Sequence, residues 1–365
     1  MNLPAEKFIP IHAARAPRTE TPALVVPIAS ADEANTASRF ENIVNAIAEG
    51  RQIAVTIEAT SNCNLACTFC GMHSADYDLD DDSGGKAVRK RKQHLKLPVF
   101  DAFREKMAGM PPLKVLYFHG HGEPLLNKSL ATMVRSAREA RLTESVVIVS
   151  NGTLLTPHKL RQLADAGVDE IRVSLDVITP ATYARIKGAD MGEQVVDNIL
   201  ACLKTLRDTD TRLRLAIDCM KWRDPNSPLY AENRLIEARL GDEVARTPNA
   251  SIRWRDEFGW VDQMGHRDEA RERNLPCEQA FYMLMIHADG KVSACCADSA
   301  QGLVVGNIHE ANHFRDIIRG APLRQVRTDL LNGDFDRLPQ CRKCDIHSVV
   351  DSALENGKDR LLPIL

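Results

Sequence analysis

Residues 52–71, QIAVTIEATSNCNLACTFCG, decide the fold. The first half, Gln52 to Thr60, is an apolar β-rich run centred on Ile53-Ala54-Val55-Thr56-Ile57 and has the composition of a short strand. The second half sets Cys63, Cys67 and Cys70 in one loop as C-x-x-x-C-x-x-C. Thiolates this close together can grip one face of a metal cluster. A 4Fe-4S cube takes four ligands, so three cysteines leave one iron open to a reactant, much as a catalytic zinc keeps an open position. A zinc site with His73 as fourth ligand, or plain buried cysteines, are the competing readings of the same residues.

Outward from this loop the pattern repeats. Apolar runs recur at Val115-Leu116-Tyr117-Phe118, Val146-Val147-Ile148-Val149, Ile171 to Leu175, Leu213 to Ile217 and Ala250 to Trp254. Segments with helical spacing lie between them, at Leu130 to Arg141, Pro157 to Ala166 and Gln194 to Leu206, the second entered through an N-cap-like Thr156 with proline next. Strand and helix in alternation predict a parallel sheet. The expected fold is α/β, a partial (β/α)6 TIM-like barrel with ligands at the carboxyl ends of its strands.

An irregular leader is expected over residues 1–40, the barrel core over 41–256, and a small cysteine-rich α+β domain over 257–365. Asp76 to Lys96, with acidic Asp80-Asp81-Asp82 and basic Arg89-Lys90-Arg91-Lys92, reads as a solvated loop or a substrate lid.

The chain has 365 residues, 44% hydrophobic and 27% charged, with a net charge of -3, an ordinary composition for a soluble protein. It offers no electrostatic case for nucleic acid or membrane as partner. No apolar run approaches the ~20 residues that span a bilayer, and the start at Met1 lacks the apolar core of a secretion signal, so the expected location is cytoplasmic. In such a reducing compartment the ten cysteines read as metal or redox ligands rather than disulfides.

A second cysteine group follows the core. Cys277 precedes Asp289-Gly290, a hairpin turn signal that would fold it toward Cys295, and Cys341-Arg342-Lys343-Cys344 supplies two more thiolates. Four such ligands close a site for structural zinc or for a second iron–sulfur cluster, which spacing alone does not separate. Cys202 and Cys219, on a helix and a strand, read as small buried apolar residues.

The C-x-x-x-C-x-x-C loop with aromatic Phe69 before its last cysteine, placed after the first strand, resembles the radical S-adenosylmethionine (SAM) superfamily. Gly120-His121-Gly122-Glu123-Pro124 resembles that family's Gly-Gly-Glu-Pro turn against the SAM amino group, with His121 where glycine is commoner. Ser150-Asn151-Gly152 resembles the segment touching the SAM methionine and ribose, and Ser174-Leu175-Asp176 the ribose contact. Lys187 lies where the family often has a basic residue near the SAM carboxylate, a surface lysine being the plain alternative. The resemblance implies a 4Fe-4S cluster on Cys63, Cys67 and Cys70 with SAM at the open iron, and an external electron donor such as flavodoxin or ferredoxin. Its activity would be reductive cleavage of SAM to a 5'-deoxyadenosyl radical that abstracts a substrate hydrogen atom.

The second group, Cys-x17-Cys followed by a long gap and Cys-x-x-Cys, resembles the SPASM or shorter twitch extension of the same superfamily. This implies one auxiliary 4Fe-4S cluster on Cys277, Cys295, Cys341 and Cys344, with Cys296 the alternative to Cys295. A fully ligated cluster suits electron transfer, hence net oxidation. The resemblance of the twitch pattern implies a small polyol-like substrate, a sugar or aminocyclitol, in an oxidoreductase or lyase. Peptide maturation, or a dehydratase or epimerase in natural-product biosynthesis, are the alternatives within the superfamily. No acid or base is assigned.

Overall fold

The apolar runs become six parallel strands: β1 (Ala54–Ile57), β2 (Leu113–Phe118), β3 (Thr143–Ser150), β4 (Glu170–Ser174), β5 (Arg214–Lys221) and β6 (Ala250–Asp256). Each pairs in parallel with its predecessor. The computed structural model describes residues 33–70, 72–74, 92–227, 229–256, 273–342, 344, 346, 348 and 350–365. The segment 75–91, most of the expected loop or lid, lies outside the described residues.

Helices return the chain between strands: α2 (Leu97–Lys106), α3 (Leu130–Glu139), α4 (Pro157–Ala166), α5 (Pro180–Lys187) with α6 (Gly192–Asp208), and α7 (Tyr230–Ala245). Local chemistry sets their ends. Thr156 caps α4 by accepting from the Lys159 amide at 3.2 Å, Pro157 occupies the first turn, and Gly167 ends it with φ +100.

The pleat sorts side chains onto two faces. Val55, Ile57, Leu116, Phe118, Ile148, Ile171, Val173 and Ile217 join the helices' Phe100, Met133, Leu163 and Ile199 in the main core. The opposite, inner face begins with a small apolar plug of Ala54, Tyr117, Val147 and Met283. Toward the carboxyl ends it turns polar, with Glu58, Arg172, Asp218 and Arg253. Cys202 and Cys219 are buried in α6 and β5.

Two features depart from the expected organisation. The expected leader over 1–40 is helical from residue 33 on, because α1 (Glu33–Glu49) lays Phe40, Ile43, Ala46 and Ile47 on the core as one stripe. The cysteine-rich segment also continues the barrel sheet: β7 (Met283–Ile286) pairs in parallel with β1, and β8 (Lys291–Ser293) and β9 (Val304–Asn307) follow antiparallel, giving nine strands in one sheet. The β7–β8 turn is the expected hairpin, with Gly290 at φ +87. Four apolar residues, MLMI, are too short for periodicity to separate strand from helix, so the seventh parallel strand was not legible. Among the described residues no helix is long and apolar enough to cross a membrane.

Candidate functional site

The three-cysteine loop leaves β1 and docks on the end of α5. Its Ala66 amide donates to the Lys187 carbonyl at 3.0 Å and its Thr68 amide to the Ile186 carbonyl at 2.9 Å. Contact there is close: a Cβ on Gly188 would stand 2.7 Å from the Ala66 carbonyl oxygen. Lys187 is buried rather than on the surface. Its ammonium pairs with Asp176 and lies 4.9 Å from the Phe69 ring centroid. Burial works against that charge, but the Asp176 carboxylate outweighs it and holds the Lys187 pKa above the ordinary value.

On the other side the Gly120–Pro124 turn packs against the start of the loop. The Glu123 amide donates to the Asn62 carbonyl at 2.8 Å. Both carboxylate oxygens of Glu123 are already engaged: Oε1 accepts from Ser150 Oγ at 2.8 Å and from the Leu125 amide at 3.0 Å, and Oε2 accepts from the Asn151 amide at 2.7 Å. Burial pushes its pKa up to about 6 against those hydrogen bonds. Asn151 Nδ2 donates to Asn64 Oδ1 at 2.9 Å and lies 3.8 Å from Cys63 Sγ, tying the end of β3 to the loop. Ser174 ends β4 in register with Asp218.

The donor set fits a cluster ligated by three cysteines. Burial pushes the Cys63 and Cys67 thiols up to about 11 and raises Cys70, so none ionises unaided at neutral pH, whereas a coordinated metal replaces the thiol proton. His73, the candidate zinc ligand, has its Nε2 on the His121 carbonyl at 2.8 Å. Phe69, Asp176 and Lys187 wall one side, and the Gly120–Pro124 turn with Ser150 and Asn151 walls the other.

A second cavity collects Cys277, Cys295, Cys341 and Cys344 with Arg273 and Asp298. Arg273, its side chain fully buried, clamps it by donating to the Leu275, Pro276 and Ile346 carbonyls and pairing with Asp351 at 2.6 Å. Asp298 accepts from the Gly302 and Leu303 amides at 2.9 and 2.8 Å, fixing the loop after Cys295. The Ala297 amide points at Cys295 Sγ at 3.4 Å, a contact typical of a ligating sulfur. Burial raises Cys277 and Cys341 as well. Cys296 packs instead against the plug of Tyr117 and Met283. Four thiols around one apolar-walled cavity fit a closed cluster.

The inner face of the sheet also carries a polar layer. Arg172, on β4, pairs with Glu170 and stacks 5.6 Å from the Tyr117 ring centroid, while Arg253 and Arg255 both pair with Asp218. Packing around His119 pushes its imidazole down to about 4, keeping it neutral. Glu58 is buried, yet the neighbouring imidazoles of His121 and His287 outweigh that and hold its carboxyl well below the usual range. Apart from His121, which departs from the Gly-Gly-Glu-Pro turn, none of these residues was singled out from sequence. Their signal is a charged side chain at an inward position of an otherwise apolar strand, which needs the register to be seen.

The family model described as "Radical SAM superfamily" matches residues 57–213, and that described as "Iron-sulfur cluster-binding domain" (SPASM) matches 277–345. The tungsten-containing aldehyde ferredoxin oxidoreductase cofactor-modifying protein of Pyrococcus furiosus is 35% identical over 156 residues, which are 42% of this chain and 39% of that protein. The S-adenosyl-L-methionine-dependent 2-deoxy-scyllo-inosamine dehydrogenase of Niallia circulans is 23% identical over 298 residues, covering 81% of this chain and 93% of that protein. Among solved structures, BtrN in complex with AdoMet and 2-DOIA superposes with a TM-score of 0.54 at 17% identity, over 82% of this chain and 95% of that one, a likeness of fold. The chain therefore belongs to the radical SAM superfamily and carries a SPASM-type domain, with S-adenosylmethionine and 4Fe-4S clusters as its cofactors.

Proposed function

We propose that this radical SAM enzyme oxidises a small hydroxyl-bearing molecule, a sugar or aminocyclitol. The observation that carries this is the alignment with the Niallia circulans dehydrogenase, which covers 81% of this chain and 93% of that relative. Residues 41–256 would hold SAM and its cluster, and 257–365 the auxiliary one. When bound, these groups supply hydrogen-atom abstraction and a one-electron sink.

The chain's own residues position the reactants. Lys187 keeps N–H donors beyond its bond to Asp176, which suits it to the SAM carboxylate. Because Glu123 spends its oxygens on Ser150, Leu125 and Asn151, it acts by holding the turn rigid, leaving the carbonyls of Gly120 and Gly122 for the SAM amino group. Arg172, Asp218, Arg253 and His119 line the inner face with donors and acceptors, a surface matched to hydroxyl and amino groups. The electron that starts the reaction would come from an external flavodoxin or ferredoxin.

The test is to incubate reduced, cluster-loaded enzyme with SAM and a panel of carbon-deuterated sugars and aminocyclitols. Deuterium should appear in 5'-deoxyadenosine alongside a carbonyl product. Cleavage of SAM prompted by peptides, with no sugar or aminocyclitol turned over, would move the assignment to peptide maturation.

A further inference from the structure

Glu58, His121 and His287 each bring a donor atom to within 4.8 Å of the others, and none of the three belongs to either cysteine group. They come from the carboxyl ends of three adjacent strands, in the order β2, β1, β7. Ile57 is in register with Ile286, so Glu58 and His287 emerge side by side, and His121 follows in the turn after β2. The side chains of His121, Glu58 and His287 are 8%, 5% and 2% exposed.

Two of their separations lie near those of a ligand set. His121 Nδ1 is 3.0 Å from Glu58 Oε1, and His287 Nδ1 is 3.7 Å from Glu58 Oε2, beyond hydrogen-bond length. Donors about 2.1 Å from a common ion stand about 3.0 Å apart in an octahedron and about 3.4 Å apart in a tetrahedron. An outer layer is already in place. His287 Nε2 meets Ser293 Oγ at 2.8 Å, and Glu58 Oε2 accepts from the Ala288 amide at 2.9 Å, as orienting partners of metal ligands do. The imidazole planes lie within 14° of each other with centroids 5.9 Å apart. His121 Nε2 is buried without a hydrogen-bond partner among the described residues.

We propose that Glu58, His121 and His287 form a mononuclear site for a divalent first-row transition metal such as Zn2+ or Fe2+. Two imidazole nitrogens and one carboxylate oxygen suit those ions, whereas Mg2+ and Ca2+ favour all-oxygen sets. The remaining coordination positions open toward the polar inner face. There the ion would hold a hydroxyl or amino group of substrate, a step that rests on the substrate class proposed above, while the metal site does not.

The probe is Co2+ added to cluster-loaded, untagged protein whose clusters are in their diamagnetic oxidised state. The expected result is about one retained cobalt per chain, with a high-spin cobalt resonance whose spin-echo modulation shows two directly bound imidazole nitrogens. His287→Gln should leave one such nitrogen and weaken binding at least about tenfold; Ser293→Ala, which keeps all three ligands, should weaken it about tenfold. Circular dichroism and unchanged iron content check that the variants fold, and the wild-type resonance decides the matter even if one does not. No retained cobalt, cobalt bound only through sulfur, or binding indifferent to both substitutions would mean that the three residues are only a hydrogen-bonded cluster. None of these readouts depends on turnover, so failure of the oxidase assignment leaves them intact.

Discussion

At Gly122 an added Cβ would stand 2.3 Å from the Thr60 carbonyl oxygen and 2.4 Å from that of Asn62, both backbone atoms of the segment leading into Cys63. Neither can yield without moving the cysteine loop. Gly122→Ala is therefore expected to fold but to weaken SAM binding about a hundredfold, the scale of an ångström misplacement at a reacting centre, measured by calorimetry on cluster-loaded protein. Lys187 makes the complementary case. Lys187→Met leaves Asp176 charged and buried, a loss of about 3–5 kcal/mol, whereas the double variant with Asp176→Leu should recover most of it. Urea unfolding of both variants checks this; equal losses would mean that the pair is not coupled. Side-chain types at these positions were readable in the sequence, but the burial of Lys187 and its place over Phe69 were not, since nothing local to Lys187-Gly188 distinguishes it from a surface turn.

At the scale of elements, legibility follows periodicity and caps. Pro157–Ala166 was legible to its ends because Thr156, Pro157 and Gly167 each carry a local backbone preference. Thr156→Ala should cost about 1 kcal/mol by removing the acceptor of the Lys159 amide, read from the thermal midpoint; no shift would show that water replaces the cap. The strands were legible from their apolar runs, because a sheet covered by helices buries near-continuous apolar sequence. Among the elements missed, two are instructive. β7 is four residues long, and α1 has its apolar stripe in a segment whose proline-rich beginning suggested irregular chain.

At the scale of the molecule, β7 joins the two cysteine groups into one sheet. The two cysteine groups nevertheless come from separate segments of the chain, so the clusters proposed for them should be separable. Cys341→Ala is expected to lower iron from about eight to about four per chain while keeping the SAM-responsive resonance of the first cluster. Cys67→Ala should do the reverse and abolish 5'-deoxyadenosine formation. If Cys341→Ala keeps all its iron, the four-cysteine cavity does not hold a cluster.

The sequence by itself determined the alternation of strand and helix, the cysteine loop after the first strand and the turns at the strand ends, because spacing, caps and apolar runs act within a few residues. Only the tertiary structure decided which of Cys295 and Cys296 faces the cavity, that Lys187 is buried against Asp176, and that Glu58, His121 and His287 meet. Those outcomes depend on strand order and register between residues as many as 230 positions apart, where a shift of one residue turns a side chain to the opposite face.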